Sequence, residues 1–446
     1  MKKLIGALAL AAMVATSAFA EVSFGAWLCT LPTLIGSDGD GIKGAAVSNP
    51  WGWGARPARL DINWTSDDGK AGMTMGVYSG FDGSVGGADA MDMWIKPVDQ
   101  VKITIGKMDN FNGLRGDLCF GSWNWLRPNT ARDGLWGEGF TFSATGDQGI
   151  GIQIFPVEAL QIFASLPLAA SQGAKYPTVL TRMDKAFGKG SIGAAYTIDG
   201  IGKIKVQMKG QYDKKDATAA KAAGWYDKDG NAITGDPTWA QYGAGATYVK
   251  EDVAATAAST KFGTFEAAFD LTAVDKLFAT VGFAFTIADG DYWKTTAYYD
   301  TTNNVFNNMM KISLGASYGI TEAFKLSADF SMLMFNGDQK NSEGDSAKPA
   351  MTFGVGLDYA LTDALGLTAD VRMLMPNNKA DPSLSFLVGA QYAVGSNASL
   401  GLGFQAVVGL GDKAQAGNLK VVNAATVDNE LKKFIFAVPV RASIWF

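Results

Sequence analysis

Apolar and polar residues alternate with a period of two through most of this chain, in runs of about 9 to 12 residues, longer than the usual strand of about five or six. Leu60, Ile62 and Trp64 oppose Arg59, Asp61 and Asn63, and Phe324, Leu326, Ala328, Phe330 and Met332 oppose Lys325, Ser327, Asp329 and Ser331. Leu365, Leu367, Ala369, Val371 and Met373 likewise stand against Thr368, Asp370 and Arg372. At the end of the chain Phe434, Phe436, Val438, Val440, Ala442, Ile444 and Phe446 stand against Arg441 and Ser443. Each run predicts a strand with one face nearly free of charge.

The runs pair through one recurring short turn, clearest in 93–106, 152–165, 268–281, 317–330 and 358–371, where an Asp or Glu at the turn is followed by an apolar residue that resumes the alternation. Three more hairpins turn at 65–70, 199–202 and 395–398, whose Gly, Asn and Asp supply the positive φ of tight turns. The opposite connections are longer and more polar, at 30–56, 80–90, 108–136, 167–189, 213–260, 288–308, 336–349, 376–382 and 410–432. Short turns on one side and long loops on the other are the polarity of a membrane β-barrel, with the short turns on the periplasmic side. A first strand near 22–30, eight hairpins and a last strand near 434–446 predict an all-β fold, a transmembrane antiparallel up-and-down barrel of about 18 strands. The segments 136–146 and 239–249 also read as strands, which leaves 16 to 20 open.

Length, aromatics and charge choose the solvent for each face. The runs match a tilted membrane span. Trp64, Tyr196, Tyr318, Tyr359 and Tyr392 all stand on the apolar face just before short turns, where an interfacial girdle belongs. Lys203, Lys205 and Lys209 share a side of one run, and each would cost about 2–4 kcal/mol against lipid at mid-depth. They therefore point inward, and the same alternation puts Arg59, Asp61, Lys102, Asp329, Asp358, Asp370, Arg372 and Arg441 on the inner wall.

The amino terminus changes the compartment. Lys2 and Lys3, an apolar stretch from Leu4 and the small-x-small run Ser17-Ala18-Phe19-Ala20 predict a cleaved signal peptide over 1–20, with the barrel over 21–446. A retained anchor helix is the alternative. Loss of two lysines would move the formal net charge from -5 to -7, an acidic excess that argues against nucleic acid as a partner. Cys29 and Cys119 permit one disulfide in an exported protein, or are two unrelated thiols.

The chain has no histidine, which removes the usual general base and the commonest metal ligand. No enzyme, cofactor or metal is expected. Asp38-Gly39-Asp40-Gly41 resembles part of a calcium loop but lacks the bidentate Glu and reads as a loop. Gly354-Val355-Gly356 and Gly401-Leu402-Gly403 sit inside strands and precede no helix.

Signal peptide, hairpin polarity, girdle and a last strand closing on Phe446 together resemble the bacterial outer-membrane porins over the whole mature length, with repeats resembling a spirochaetal lineage. The resemblance implies passive diffusion of small hydrophilic solutes through a water-filled barrel embedded in outer-membrane lipids, and a homotrimer is compatible with it. It further implies that Val440, Ala442, Ile444 and Phe446 are read by the barrel-assembly machinery. In general porins the third long loop narrows the lumen, which here is 108–136, with Asp109, Arg115, Asp117, Arg127, Arg132 and Asp133. A loop that only shields the mouth is the alternative. A channel specific for sugars or fatty acids, and a surface adhesin on a barrel scaffold, stay open as other functions.

Overall fold

The computed structural model describes residues 20–48, 58–80, 84–108, 114–115, 141–142, 149–167, 189–217, 224–226, 232–233, 247–249, 257–296, 299–300, 305–307, 309–340, 346–375, 381–411, 426–427, 430–431 and 433–445. Its body is a closed antiparallel barrel of 18 strands. In chain order these are β1 (Ala20–Ser37), β2 in two pieces (Ile42–Ser48 and Ala58–Ser66), β3 (Ala71–Ser79), β4 (Val85–Val98), β5 (Val101–Met108) and β6 (Gly149–Val157). There follow β7 (Leu160–Pro167), β8 (Ser191–Ile198), β9 (Gly202–Lys215), β10 (Ser259–Leu271), β11 (Leu277–Ala288) and β12 (Met310–Gly319). The circuit ends with β13 (Phe324–Met334), β14 (Ala350–Ala360), β15 (Leu365–Met375), β16 (Ser383–Gly395), β17 (Ala398–Gly409) and β18 (Phe434–Trp445).

Each strand pairs with its sequence neighbours, and β1 closes the ring on β18, with Trp27 opposite Trp445 and Cys29 opposite Ser443. Closure leaves the ring without a first or last strand whose amides stay unpaired, although among the described residues the Ile42–Ser48 piece pairs with β1 alone. The two pieces of β2 share one position beside β1, Ile42–Ser48 on its upper half and Ala58–Ser66 on its lower half.

Local chemistry sets the turns. At 66–71 the Ser66 hydroxyl oxygen accepts from the amides of Lys70 at 3.2 Å and Ala71 at 2.9 Å, while the Gly69 amide donates to the Ser66 carbonyl at 2.8 Å. Gly69 stands at φ +65°, which a side chain would strain.

The expected first strand near 22–30 and loop over 30–56 need correction. Strand β1 runs on to Ser37 and returns as Ile42–Ser48, so the Asp38-Gly39-Asp40-Gly41 run is a tight hairpin turn. There the Asp38 carboxylate accepts from the Asp40 amide at 3.1 Å and pairs with Lys43, and Gly39 takes φ +93°. Pro32 and Gly36, ordinarily strand breakers, flank a register shift in β1 between Thr33 and Ile35, and both stay in register with the Ile42–Ser48 piece. The 80–90 connection is also shorter than expected, since β4 begins at Val85. Of the two extra segments read as strands, the described residues are Thr141–Phe142 and Thr247–Val249, each paired in a small sheet separate from the barrel.

A short helix α1 (Gly290–Thr295) lies between β11 and β12, capped by Asp289, whose carboxylate accepts from the Tyr292 amide at 2.8 Å. Its Tyr292 and Trp293 are buried, and Thr295 donates to the Ser259 hydroxyl at 3.3 Å at the start of β10.

Candidate channel wall

The outer face is the apolar one. Ile204, Val281, Leu314, Phe353, Val371, Val388 and Leu402 are exposed on it, and Tyr196, Tyr318, Tyr359 and Tyr392 are exposed in one band next to the short turns. On β16, β17 and β18 the rings of Phe386, Phe404, Phe436 and Phe434 follow one another at 6.1, 6.0 and 5.9 Å between centroids. Ala406, registered between Phe386 and Phe436, is fully covered by them.

The inner face holds the charges. Arg59 on β2 donates through Nε to Asp61 at 2.7 and 2.9 Å and through Nη1 to the Tyr78 hydroxyl at 3.2 Å. The Trp27 ring meets Tyr78 edge-on at 6.2 Å. On β9, Lys203 and Lys209 are half-buried, whereas Lys205 is 3% exposed and pairs with Asp270 of β10 at 2.7 Å. Arg372 of β15 reaches Asp329 of β13 at 3.1 Å with side chains 3% and 0% exposed. The bridge passes across Gly354 of the intervening β14, where a Cβ would lie 2.9 Å from Asp329 and 3.0 Å from Arg372. That is why a glycine occurs at 354 inside a strand. Asp358 accepts from the Thr368 hydroxyl at 2.8 Å, Asp370 is buried, and Arg441 donates through Nε to the Cys29 sulfur at 3.4 Å.

Access to solvent varies along this wall. From β12 to β18 the inward Ser313, Ser331, Thr352, Leu387, Gln405 and Ile435 are shut off from solvent, as are Cys29, Leu31, Thr33 and Thr104 in β1 and β5. The inward Trp27, Arg59, Asp61, Asp92, Trp94 and Lys102 keep partial access, as do Lys325, Asp358 and Arg441. Lys205 and Arg372 differ from the other inward cations, because at each a carboxylate replaces hydration. A buried charge left without such a partner costs several kcal/mol.

Alternation also places Lys96, Asp92, Glu266, Asp270, Lys311 and Lys325 on the inner face, residues not singled out from the sequence. The signal was present in the period-two pattern. Asp92 fell at the edge of an assumed loop, and Asp270 at the edge of a turn.

Of the loop residues, Arg115 lies in the two-residue strand Leu114–Arg115, paired with Thr141–Phe142. Asp109, Asp117, Arg127, Arg132 and Asp133 lie outside the described residues, as do Cys119, Phe446 and the signal segment 1–19. Cys29 is buried and carries a free thiol. Val440, Ala442 and Ile444 stand on the outer face of β18, which ends at Trp445.

No protein-family model and no curated protein matches the sequence. In outline, the chain is similar to bacterial porins. The anion-selective porin from Comamonas acidovorans aligns at 12% identity over 96% of this chain and 100% of its own, with a TM-score of 0.49. The trimer form of in-vitro folded OmpT, an outer membrane protein of Vibrio cholerae, aligns at 14% identity over 96% and 99%, with a TM-score of 0.40. A mutant of the Rh. blastica porin aligns at 13% identity over 96% and 100%, with a TM-score of 0.39. Scores this low decide nothing about function.

Proposed function

We propose that the chain is an outer-membrane channel through which small hydrophilic solutes diffuse passively, narrowed by the segment 108–136. The observation that carries this reading is a closed ring with an apolar, tyrosine-girdled outside and, among the described residues, buried ion pairs on the inside. Lipid outside and solutes inside are the partners that such a partition suits. A signal peptide over 1–20 would deliver the chain for insertion, and the outward Val440, Ala442 and Ile444 with Phe446 would be read by the assembly machinery.

The test is conductance of the refolded protein in planar bilayers. Steady openings in the nanosiemens range support a channel, and bilayers that stay closed favour an adhesin on the same scaffold. A solute-specific channel is the second reading, favoured by the many inward side chains that are shut off from solvent, among them Leu31, Leu387, Gln405 and Ile435. Competition of the ionic current by individual sugars or acids separates it from general diffusion.

A further inference from the structure

At the short-turn rim, β4 and β5 bring two lysines onto one indole. The Lys102 Nζ stands 4.8 Å and the Lys96 Nζ 5.4 Å from the centroid of Trp94. Trp94 lies flat against the inner wall across β3, so close to Gly72 that a Cβ there would come within 2.5 Å of the ring. A glycine at that register position is what lets the indole lie down and serve as a fixed platform. The backbone fixes Lys96 as well, its amide donating to the Lys70 carbonyl at 2.6 Å.

Both ammonium groups therefore lie within about 10 Å of each other, comparable with the screening length of about 8 Å at physiological salt, so one multivalent anion senses both. Asp92 faces the same side and its charge reaches Lys102, yet among the described residues neither ammonium has a carboxylate within ion-pair distance. This sets the pair apart from Lys205 and Arg372, whose carboxylates already neutralise them. The site is partly solvated and faces the inside of the barrel, where a solute would pass.

We propose that Lys96 and Lys102, oriented by Trp94, form a binding site for the multivalent oxyanion group, phosphate or polycarboxylate, of a permeating solute. The inference rests on the channel reading, and its test separates the two. In planar bilayers bathed in potassium chloride, added inorganic phosphate reduces the current of the parent protein. In the Lys96→Gln/Lys102→Gln double variant, half-block needs about tenfold more phosphate, as for two partly exposed charge contacts. The Lys96→Arg/Lys102→Arg variant keeps the parent's sensitivity. Heat-modifiable gel mobility checks that every variant is folded.

Equal phosphate sensitivity in parent and Gln variant overturns the site while leaving the channel standing. A parent that never conducts overturns the channel, and calorimetric titration of the detergent-solubilised barrel with phosphate then reads the site directly. Heat of binding in the parent that is lost in the Gln variant upholds the site, and no heat in the parent overturns it.

Discussion

Replacing Asp329 by Ala removes the carboxylate facing Arg372 and leaves a guanidinium that is 3% exposed. A surface ion pair would lose about 0.2–1 kcal/mol on such a change, because water takes over the solvation. Here both side chains are nearly closed to water, so the relevant range is that of a broken buried pair, about 3–5 kcal/mol. The folding equilibrium should fall by between about two and nearly four powers of ten. The measurement is equilibrium urea unfolding of the barrel in lipid vesicles, followed by tryptophan fluorescence and heat-modifiable mobility. The Asp329→Ala/Arg372→Met double variant should recover part of the loss, since neither member of the pair is then left as a charge without the other. A loss below about 1 kcal/mol for Asp329→Ala, with no recovery in the double variant, would show that the pair is bathed in water.

Gly106 has φ +134° and a Cβ there would lie 2.3 Å from the Met91 carbonyl, so Gly106→Ala should destabilise by about 1–3 kcal/mol in the same urea assay. Gly86, with open space around its Cβ position, should accept alanine within about 0.5 kcal/mol. Cys29, buried beside Arg441, should resist alkylation in the folded barrel and react once unfolded, as read by intact mass. A mass two hydrogens lower, with no labelling in urea, would mean that Cys29 and Cys119 are bridged. The Ser66 hydroxyl and the Lys70 amide hold the Asp68 carboxyl below its ordinary value of 3.8. Its contribution is present above that value and lost as pH falls through the lower folded one. Asp68→Asn should thus lower the urea midpoint at pH 7 and leave it unchanged in strong acid.

How much of this could be read in the sequence depends on the range of the interaction. Period-two alternation is local, so the inward side of Lys203, Lys205, Lys209, Asp329, Asp370 and Arg372 followed from the residues beside them. Pairing is not local. Asp270 meets Lys205 from across a long connection, and Arg372 meets Asp329 over a strand that contributes only Gly354. No pattern along the chain shows that these charges neutralise each other in a nearly dry place. The length of β1 was hidden for another reason: Pro32, Gly36 and the Asp-Gly run carry loop-like propensities that pairing with the Ile42–Ser48 piece and the hairpin turn override. Trp94 was legible as an inward residue, but its overlap with Gly72 and the two lysines needed the register of three strands.

The clasp from Asp329 over Gly354 to Arg372 ties together staves that share no hydrogen bond with each other. A strand held only by its two ladders can fray one ladder at a time. Beneath this clasp β14 is pinned like a plank under a hoop, and it cannot work loose until the ions above it part. Amide exchange along Phe353–Val355 should therefore follow the opening of the whole cylinder, where rim segments exchange by local fluctuation.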